Sequence, residues 1–502
     1  MESASTPPAP PTSPASTSLA RDAIGLREVL FQSITHMAPA AAVVFSIVGG
    51  IAFAGGATAL AVLIALVACL CVAVSIGQLA KHLPSAGSFY TYASKGLHPA
   101  IGFLIAWTYA FIEPLVAPLL YLNLGFAAAD FFHREPPHLA ADLWWPWVLV
   151  GAAIVFFLGY RGIRVSARTG TVLGLFEIGV FVALALFLIA RADHNTLSVF
   201  TTKFANNPDF KGFSGVFAAS VFTVLAFIGF EAASPLAEEA RDPRRTIGRA
   251  VVLSCLLIGL YYVLTTYAAT VFFGPNRMVK FGAGTGWEGL GRAVWGSAWV
   301  FVFLAIVNST IANSNAGSNA ATRTFFAMGR VRLLPAALAE IHPRFRSPHV
   351  AVWVQLVIGL VVPFWLGFQF DPLTAFFLVA TIIVVLFVPI YVVVNLSCLF
   401  YYWRYQRAEF NPILHGVIPI AGIVAFTPAF FAGAGLKLPG LRFITPLTYP
   451  LSRAGLVAGV WTVLGVAYLV YLYRTDPGRV QATGRVFLEP EPAAAAVPPE
   501  PA

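Results

Sequence analysis

Long apolar stretches separated by short polar segments dominate the chain. About 20 apolar residues cross the hydrocarbon core of a bilayer, and twelve stretches approach or exceed that length. They cover residues 29–54, 57–81, 99–130, 147–160, 169–190, 213–237, 247–273, 297–328, 349–368, 372–402, 413–435 and 451–473. Charged residues collect between them. The pattern therefore predicts an all-α membrane protein with twelve transmembrane helices.

The distribution of basic residues predicts how the chain is oriented. With the N-terminus in the cytoplasm, 21 of the 31 Lys and Arg residues fall on the cytoplasmic side and the other 10 do not, as the positive-inside rule requires. Residues 1–24 and 476–502 are predicted to be disordered cytoplasmic tails around a membrane domain at 25–475. The first tail lacks the apolar core of a secretory signal. We expect a multi-pass protein of the plasma (inner) membrane, with both termini in the cytoplasm.

Composition argues against other classes of protein. The chain has 502 residues, of which 58% are hydrophobic and 11% charged, and its mean hydropathy is +0.79, values typical of a polytopic membrane protein. Its net charge of +9 lies in short loops, so no nucleic-acid partner is expected. The four cysteines lie in apolar stretches and predict neither disulfides nor a metal site. Because no nucleotide-binding loop or catalytic triad is recognisable, neither a cofactor nor an enzymatic activity is predicted.

Two spans are interrupted near their centres by residues that disturb helices. Pro39 lies within the first span, and Gly229 and Pro235 lie within the sixth beside the carboxylate of Glu231. Proline removes a helical hydrogen bond, glycine relaxes the backbone, and a charge at membrane depth is costly. Each span is therefore either a kinked structural helix or a broken helix whose freed backbone groups bind a polar ligand.

Several motifs resemble those of amino acid–polyamine–organocation permeases. They match the loop after the family's second helix, its sixth helix with the following loop, and the end of its eighth helix. The matching stretches are PSAGSFYTY at 84–92, AFIGFE at 226–231, EARDPR at 239–244, and SNA at 314–316 followed by Arg323 and Pro335. They occur in order over roughly residues 26–474, and they are specific for the superfamily but not for a substrate.

The resemblance implies a leucine-transporter-like fold with broken helices 1 and 6. Two inverted repeats of five helices would cover about 26–190 and 213–402, with extra helices at 413–473. The implied function is secondary active import of an amino acid or related amine by alternating access, coupled to protons. A polyamine importer and an obligate exchanger are the alternatives, and a membrane sensor without transport is the least favoured. The oligomeric state stays open.

In the resembled family, amides of the first break hold a substrate carboxylate. Here the corresponding segment consists of Ala38, Pro39, Ala40, Ala41 and Ala42, where the family usually has Gly-Ser/Thr-Gly. Alanine N–H groups at a helix start still favour an anion, but the departure weakens the case for an α-amino acid and leaves room for amines. A simple proline kink is the alternative.

The sixth span offers groups of the opposite polarity. Carbonyls near Phe227, Ile228 and Gly229 would be freed by the break and would suit an ammonium group. The rings of Phe227 and Phe230 either wall the substrate pocket, with cation–π contact, or only pack between helices.

Three intramembrane carboxylates are candidates for function. Glu113 shares a helix face with Tyr109; it either selects a cationic group or bonds, protonated, to a backbone group freed by a nearby proline. Glu177 stands where some proton-coupled relatives carry a lysine beside the first break, so it is the first candidate for proton coupling. Glu231 is the second. For Glu177, a structural pair with another intramembrane polar group is an equal alternative.

The eighth span carries a polar run that includes Asn313 and Gly317, both expected at the binding site. A run this polar would not face lipid. Ser309 and Thr310 offer hard oxygen ligands for sodium, although small polar residues also serve helix packing. His36 has no partner at metal-ligand spacing and is interpreted as structural. The basic segment 241–249 suits contact with anionic membrane lipid, or gating contacts between helix ends.

Overall fold

The computed structural model describes residues 24–85, 87–161, 163–193, 195–282, 286–437, 439–441 and 443–482. Its α-helices are α1 (Leu26–His36), α2 (Pro39–Ala41), α3 (Val48–Ala54), α4 (Thr58–His82), α5 (Ser88–Gly96), α6 (Pro99–Arg134), α7 (Trp145–Arg161), α8 (Ile163–Arg191), α9 (Phe213–Phe227), α10 (Pro243–Phe273), α11 (Met278–Gly282), α12 (Gly286–Trp295), α13 (Val300–Arg330), α14 (His349–Phe370), α15 (Pro372–Tyr405), α16 (Ile418–Gly433), α17 (Arg453–Thr475) and α18 (Pro477–Ala482).

Short 3-10 and π-helical segments extend or join these α-helices. They occupy Ala42–Ile47, Gly55–Ala57, Leu197–Phe200, Thr202–Phe204, Phe230–Leu236, Pro275–Arg277, Gly296–Trp299, Ala336–Ala339, Arg407–Glu409 and Ile413–Val417. The strands found in the described residues are β1 (Asn206–Asn207) and β2 (Phe210–Lys211), which pair antiparallel with Asn206 opposite Lys211. Apart from this hairpin, the regular structure described is helical.

Ten helical stretches among the described residues are long and apolar enough to cross a membrane. They are Leu26–His82, Pro99–Arg134, Thr171–Arg191, Phe213–Leu236, Pro243–Phe273, Gly286–Arg330, His349–Phe370, Pro372–Tyr405, Ile413–Gly433 and Arg453–Thr475. The first is 57 residues long and contains two predicted spans, while the fourth predicted span forms the 17-residue helix α7. The prediction of an all-α, multi-pass membrane protein is confirmed, and the count of twelve crossings stays a prediction.

Burial separates the helices into a centre and a rim. α6, α9 and α15 bury most of their side chains. On α14 and α17, by contrast, large apolar side chains face outward, with Trp365 70% and Val463 67% exposed. An apolar rim of this kind suits contact with lipid, since no water-soluble surface would carry it. The candidate site lies among the central helices.

Both predicted interruptions are present. α1 ends at His36, and helical geometry resumes at Pro39 after Ala38 adopts a left-handed conformation. α9 ends at Phe227, and a 3-10 segment starts at Phe230 after Gly229, which has a φ of 121°. The two breaks follow from the absent N–H of proline and the conformational freedom of glycine.

The end of the described chain differs from the expected disorder. The predicted C-terminal tail begins at Asp476, but Pro477–Ala482 forms helix α18. Val480 is buried in an apolar cluster with Leu469 and Leu472, and Arg479 pairs with Asp476 at 2.9 Å. This packing extends the ordered structure because it removes an apolar side chain from solvent. The rest of that tail and residues 1–23 of the other predicted tail lie outside the described residues.

Candidate functional site

The first break opens between α1 and α2. Ala38 has a φ of 47° and a ψ of 66°, a conformation that costs an L-residue roughly 1–2 kcal/mol. The carbonyl of Met37 accepts a hydrogen bond from the hydroxyl of Tyr262 on α10 at 2.6 Å. A side chain from a distant helix therefore satisfies a backbone group released by the break.

The N–H groups after the break also bond to other helices. Ala40 N–H donates to Oε2 of Glu177 on α8 at 3.4 Å, and Ala41 N–H donates to Oγ of Ser309 on α13 at 3.0 Å. The next N–H closes an ordinary helical turn at 2.8 Å. Glu177 is fully buried, and its Oε1 atom has no hydrogen-bond partner among the described residues. The amides expected to bind a substrate carboxylate are thus engaged by groups of the protein itself.

The second break is capped from within its own segment. The N–H of Gly229 donates to both carboxylate oxygens of Glu231, at 3.1 Å each. Tyr391 on α15 donates its hydroxyl to Oε2 of the same carboxylate at 3.1 Å. Glu231 is 1% exposed. A buried carboxylate that accepts these bonds fixes the geometry of the break, because removal of any partner would leave a buried polar group without compensation.

The two breaks are in direct contact. A Cβ atom on Gly229 would lie 2.7 Å from the carbonyl carbon and oxygen of His36, so only glycine allows this approach. Ser33 on α1 donates its hydroxyl to the Phe230 carbonyl at 2.7 Å and accepts the N–H of Ala233 at 3.0 Å. The interrupted parts of the first and sixth predicted spans therefore form one packed unit.

A cavity of about 30 Å³ lies beside this unit, with room for a water molecule or two. Five predicted binding residues line it, namely Ala38, Ala41, Ala42, Ile228 and Asn313. Its polar lining also includes His36, Ser46 and Asn123. Pro39 and Ala40 form the break without lining the cavity. The cavity must expand before it can hold an amino acid or a diamine.

Glu113 does not line this cavity itself, but it lies next to His36, which does. Oε2 of Glu113 lies 3.9 Å from Nε2 of His36, and both side chains are buried. Within the described structure, neither the His36 ring nitrogens, nor the Glu113 oxygens, nor the Tyr109 hydroxyl has a hydrogen-bond partner. Buried polar groups are nearly always hydrogen-bonded, so this cluster has unused hydrogen-bonding capacity beside the cavity.

One of the backbone groups to which Glu113 was expected to bond in the alternative interpretation has another partner. Pro118 provides no N–H for the Pro114 carbonyl, which would otherwise be its helical partner. That carbonyl instead accepts a hydrogen bond from Nε2 of Gln355 on α14 at 3.1 Å. The group freed by this proline is therefore satisfied without the glutamate.

Three other predicted binding residues pack between helices. The rings of Phe227 and Phe230 lie against tyrosines of α10 and α15, with centroids 5.3 and 5.6 Å apart. A Cβ atom on Gly317 would lie 2.5 Å from the Val116 side chain, so this glycine allows α13 to approach α6 closely. In this conformation the packing alternative holds for both aromatic rings.

A larger cavity of about 600 Å³ opens on one side of the site. Phe45 and Phe126 line it, whereas Phe376 lines the small cavity. The Phe45 ring lies 6.3 Å from that of Phe126 and 6.1 Å from that of Phe376. An aromatic layer therefore separates a wide vestibule from the buried cavity.

The opposite end of the molecule is closed by backbone and ionic contacts. Ile24 forms two backbone hydrogen bonds with the loop after the second break, at 3.2 and 2.9 Å. In the same loop, Glu239 pairs with Arg323 at 3.2 Å, and Glu238 pairs with Arg330 at 3.6 Å. These arginines belong to α13, so the contacts join the segment before α1, the loop and α13.

Sequence reasoning underestimated three residues of the site. His36 was interpreted as structural, but it lines the cavity and contacts both Gly229 and Glu113. Its position one turn from a predicted break was a usable signal. No signal in the sequence pointed to Ser33 or Tyr391, because their hydrogen-bond partners lie about 200 and 160 residues away along the chain.

Comparisons with known proteins agree with this architecture. The family model described as "Amino acid permease" matches residues 28–434. The low-affinity putrescine importer PlaP of Escherichia coli (strain K12) is 25% identical over 461 residues, which cover 89% of this chain and 93% of the relative. The branched-chain amino acid permease BcaP of Bacillus subtilis (strain 168) is 26% identical over 348 residues, covering 62% and 69%. BcaP of Lactococcus lactis subsp. cremoris (strain MG1363) is 22% identical over 459 residues, covering 85% and 90%. The chain belongs to the amino acid permease family.

Proposed function

We propose that the protein is a secondary active transporter that imports an amino acid or related amine by alternating access, coupled to protons. The observation that carries this proposal is the contact between two helix breaks, Gly229 against His36, beside a central buried cavity. Helices that are broken near the middle of a membrane domain expose backbone N–H and C=O groups to a polar substrate. In an unbroken helix these groups are hydrogen-bonded within the helix.

The proposed topology has twelve spans in a five-plus-five inverted repeat with two extra helices. The stretch Leu26–His82 would be about 85 Å long as one helix, far more than a bilayer core. Gly55, with a φ of 53°, starts a tight turn between α3 and α4. This turn supports two crossings in place of one. The two breaks then lie in the first and sixth predicted spans, an offset of five spans, which supports inversion of the second repeat.

The proposed inside-cytoplasmic orientation places the larger cavity on the outer face. The closed end, with Ile24 bonded to the loop after the second break, would be the inner gate. Phe45, Phe126 and Phe376 would form the outer gate. Import then requires the aromatic layer to open first and the ionic contacts at the other end afterwards.

An amine without a carboxylate is the second candidate substrate, and the first break favours it. The amides of Ala40 and Ala41 are already bonded to Glu177 and Ser309. An α-carboxylate would have to displace these bonds. In contrast, Glu113 and His36 lie 3.9 Å apart without a hydrogen bond to other described residues, and they provide a carboxylate and an imidazole ring for an ammonium group.

Glu177 is the proposed proton-coupling residue. As a carboxylate it stabilises the start of α2 by accepting the Ala40 N–H. Protonation weakens that bond and loosens the break. Glu231 is less suited to this role, because its two oxygens already accept bonds from Gly229 and Tyr391. Coupling would therefore act on the first break.

Sodium coupling has weaker support. Ser309 accepts the Ala41 N–H, and Thr310 donates to the Val307 carbonyl at 2.8 Å. Both hydroxyls thus have partners within the protein. A sodium ion would need further oxygen ligands beside them, and would compete with the Ala41 N–H for the Ser309 oxygen.

The test is uptake into proteoliposomes of labelled amino acids and putrescine, with an inward proton gradient, an inward sodium gradient or neither. Gradient-stimulated uptake of an amino acid or amine supports the proposal. Uptake that needs substrate preloaded inside and ignores both gradients would identify an exchanger, and stimulation by sodium alone would refute proton coupling.

Glu113→Gln separates the two substrate classes. It should lower putrescine uptake at least tenfold if Glu113 pairs with an ammonium group in the desolvated site. Glu409→Gln is the matched control, since Glu409 is half-exposed and pairs with His82 at a helix end. Equal uptake by both variants would remove Glu113 from the binding site.

A further inference from the structure

A groove runs between α4 and α10, away from the cavity and the vestibule. It measures about 760 Å³ and is lined by residues of both helices. Its depth depends on two glycines, because a Cβ atom on Gly248 would lie 3.1 Å from the Gly77 carbonyl oxygen. The two helices approach closely there and leave no side chain on the floor of the groove.

One end of this groove is strongly basic. Lys81, Arg244, Arg245 and Arg249 line it and are exposed. Of these, Arg245 lies 3.8 Å from the exposed carboxylate of Asp242, and Lys81 donates to the Gln78 side-chain oxygen at 2.7 Å. Four basic side chains line this end, and Asp242 is the one carboxylate described in contact with them, so this end of the groove carries a net positive charge. Arg244 and Arg245 also lie in the first turn of α10, where the helix dipole favours an anion.

The walls of the groove are apolar. Val74 lies on α4, and Val252 and Leu253 lie on α10, with Leu253 38% exposed. The groove therefore combines an anion-binding end with a hydrocarbon-binding length along a transmembrane helix pair. A free inorganic anion would contact only the basic end of the groove, and a neutral lipid would contact only its apolar walls.

We propose that this groove binds one anionic phospholipid. Its phosphate contacts Arg244, Arg245, Arg249 and Lys81, and an acyl chain lies along Val74, Val252 and Leu253. Basic pockets between membrane helices bind anionic head groups in this way. The site does not depend on the identity of the transported substrate.

The test is titration of the full-length protein in neutral detergent with phosphatidylglycerol, phosphatidylcholine or inorganic phosphate, followed by native mass spectrometry. The double variant Arg244→Gln, Arg249→Gln should bind phosphatidylglycerol at least tenfold more weakly than the unmodified chain. Its control is Arg404→Gln, Arg407→Gln, which removes two exposed arginines outside the groove. All of these substitutions are on the surface, so folding should be retained.

The proposal is supported if only the groove variant loses phosphatidylglycerol binding and phosphatidylcholine binds weakly to every form. Equal losses in both double variants would mean an effect of net charge alone and would overturn it. Binding of inorganic phosphate that competes fully with phosphatidylglycerol would identify a phosphate site, not a lipid site. Undiminished lipid binding by the groove variant would also contradict it.

Discussion

The two helix breaks differ in how they are held. The break after α9 is capped locally, since Glu231 accepts the N–H of Gly229 two residues away. The break after α1 is held from a distance, by Glu177 on α8, Ser309 on α13 and Tyr262 on α10. Its left-handed residue is an alanine, whereas the other break uses a glycine.

This difference suggests that the breaks have separate tasks. The cap on the second break comes from its own segment, so the Gly229 N–H stays bonded to Glu231 when α8, α10 or α13 moves, although Tyr391 and Ser33 also hold this break from α15 and α1. A strained break held by side chains of other helices changes when any of those helices moves or changes charge. We therefore propose that the second break is the fixed part of the site and that the first break is its moving, proton-sensitive part.

The largest expected effect is that of Gly229→Ala. Its Cβ atom would lie 2.7 Å from the His36 backbone, and a φ of 121° is unfavourable for alanine, so a loss of about 3 kcal/mol or more is expected. Thermal unfolding in detergent and substrate uptake would both show it. Gly459→Ala on α17 is the control, because a Cβ there meets no atom within 4 Å. Wild-type behaviour of Gly229→Ala would mean that the breaks are not in contact.

Glu231→Ala should follow in size. It leaves the buried Gly229 N–H and Tyr391 hydroxyl without an acceptor, at a cost of about 1–3 kcal/mol for each group. Glu231→Gln keeps an acceptor oxygen and should restore most of the thermal stability. If the glutamine variant is as unstable as the alanine variant, the cap requires the negative charge, and the second break is then sensitive to protonation as well.

Ser33→Ala tests the bond between the breaks. It removes the donor to Phe230 and the acceptor for Ala233, which should lower stability by about 1–2 kcal/mol. Ser33→Thr retains the hydroxyl and serves as the matched variant. Melting temperatures in detergent compare the two, and equal values would show that this link contributes nothing.

Ala38→Gly should have the smallest effect and the opposite sign. Glycine relieves the left-handed strain at this position, but it also increases the entropy of the unfolded chain, so a gain of up to about 1 kcal/mol is expected. Ala153→Gly, at an exposed position within α7, should instead lose up to about 1 kcal/mol. A loss in both variants would show that the first break is unstrained.

Much of this architecture follows from local chemistry that can be seen in the sequence. Long apolar stretches predicted the helices, and Pro39 and Gly229 predicted the breaks, because these residues act on their own backbone. The position of Glu177 beside the first break came from family resemblance. The bond between Glu177 and the Ala40 N–H agrees with it.

The contacts between helices were harder to predict. In a soluble protein, a surface helix has a polar face toward solvent and an apolar face toward the core, so its sequence shows which face points inward. Central helices such as α6 and α15 are apolar on most sides, so their sequence does not say which side meets the cavity. For this reason the sequence left open whether Phe227 and Phe230 wall the pocket or pack between helices, and in the structure they pack against tyrosines. The approach of His36 to Glu113 was not anticipated.

The most direct test of these separate tasks compares proton-driven uptake with counterflow exchange in proteoliposomes containing Glu177→Gln or Glu231→Gln. Glu177→Gln should reduce gradient-driven uptake at least tenfold and leave exchange nearly intact, because glutamine still accepts the Ala40 N–H but carries no transferable proton. Glu231→Gln should change both rates by the same factor. Driven uptake that survives in Glu177→Gln but is lost in Glu231→Gln would contradict the assignment of proton coupling to the first break.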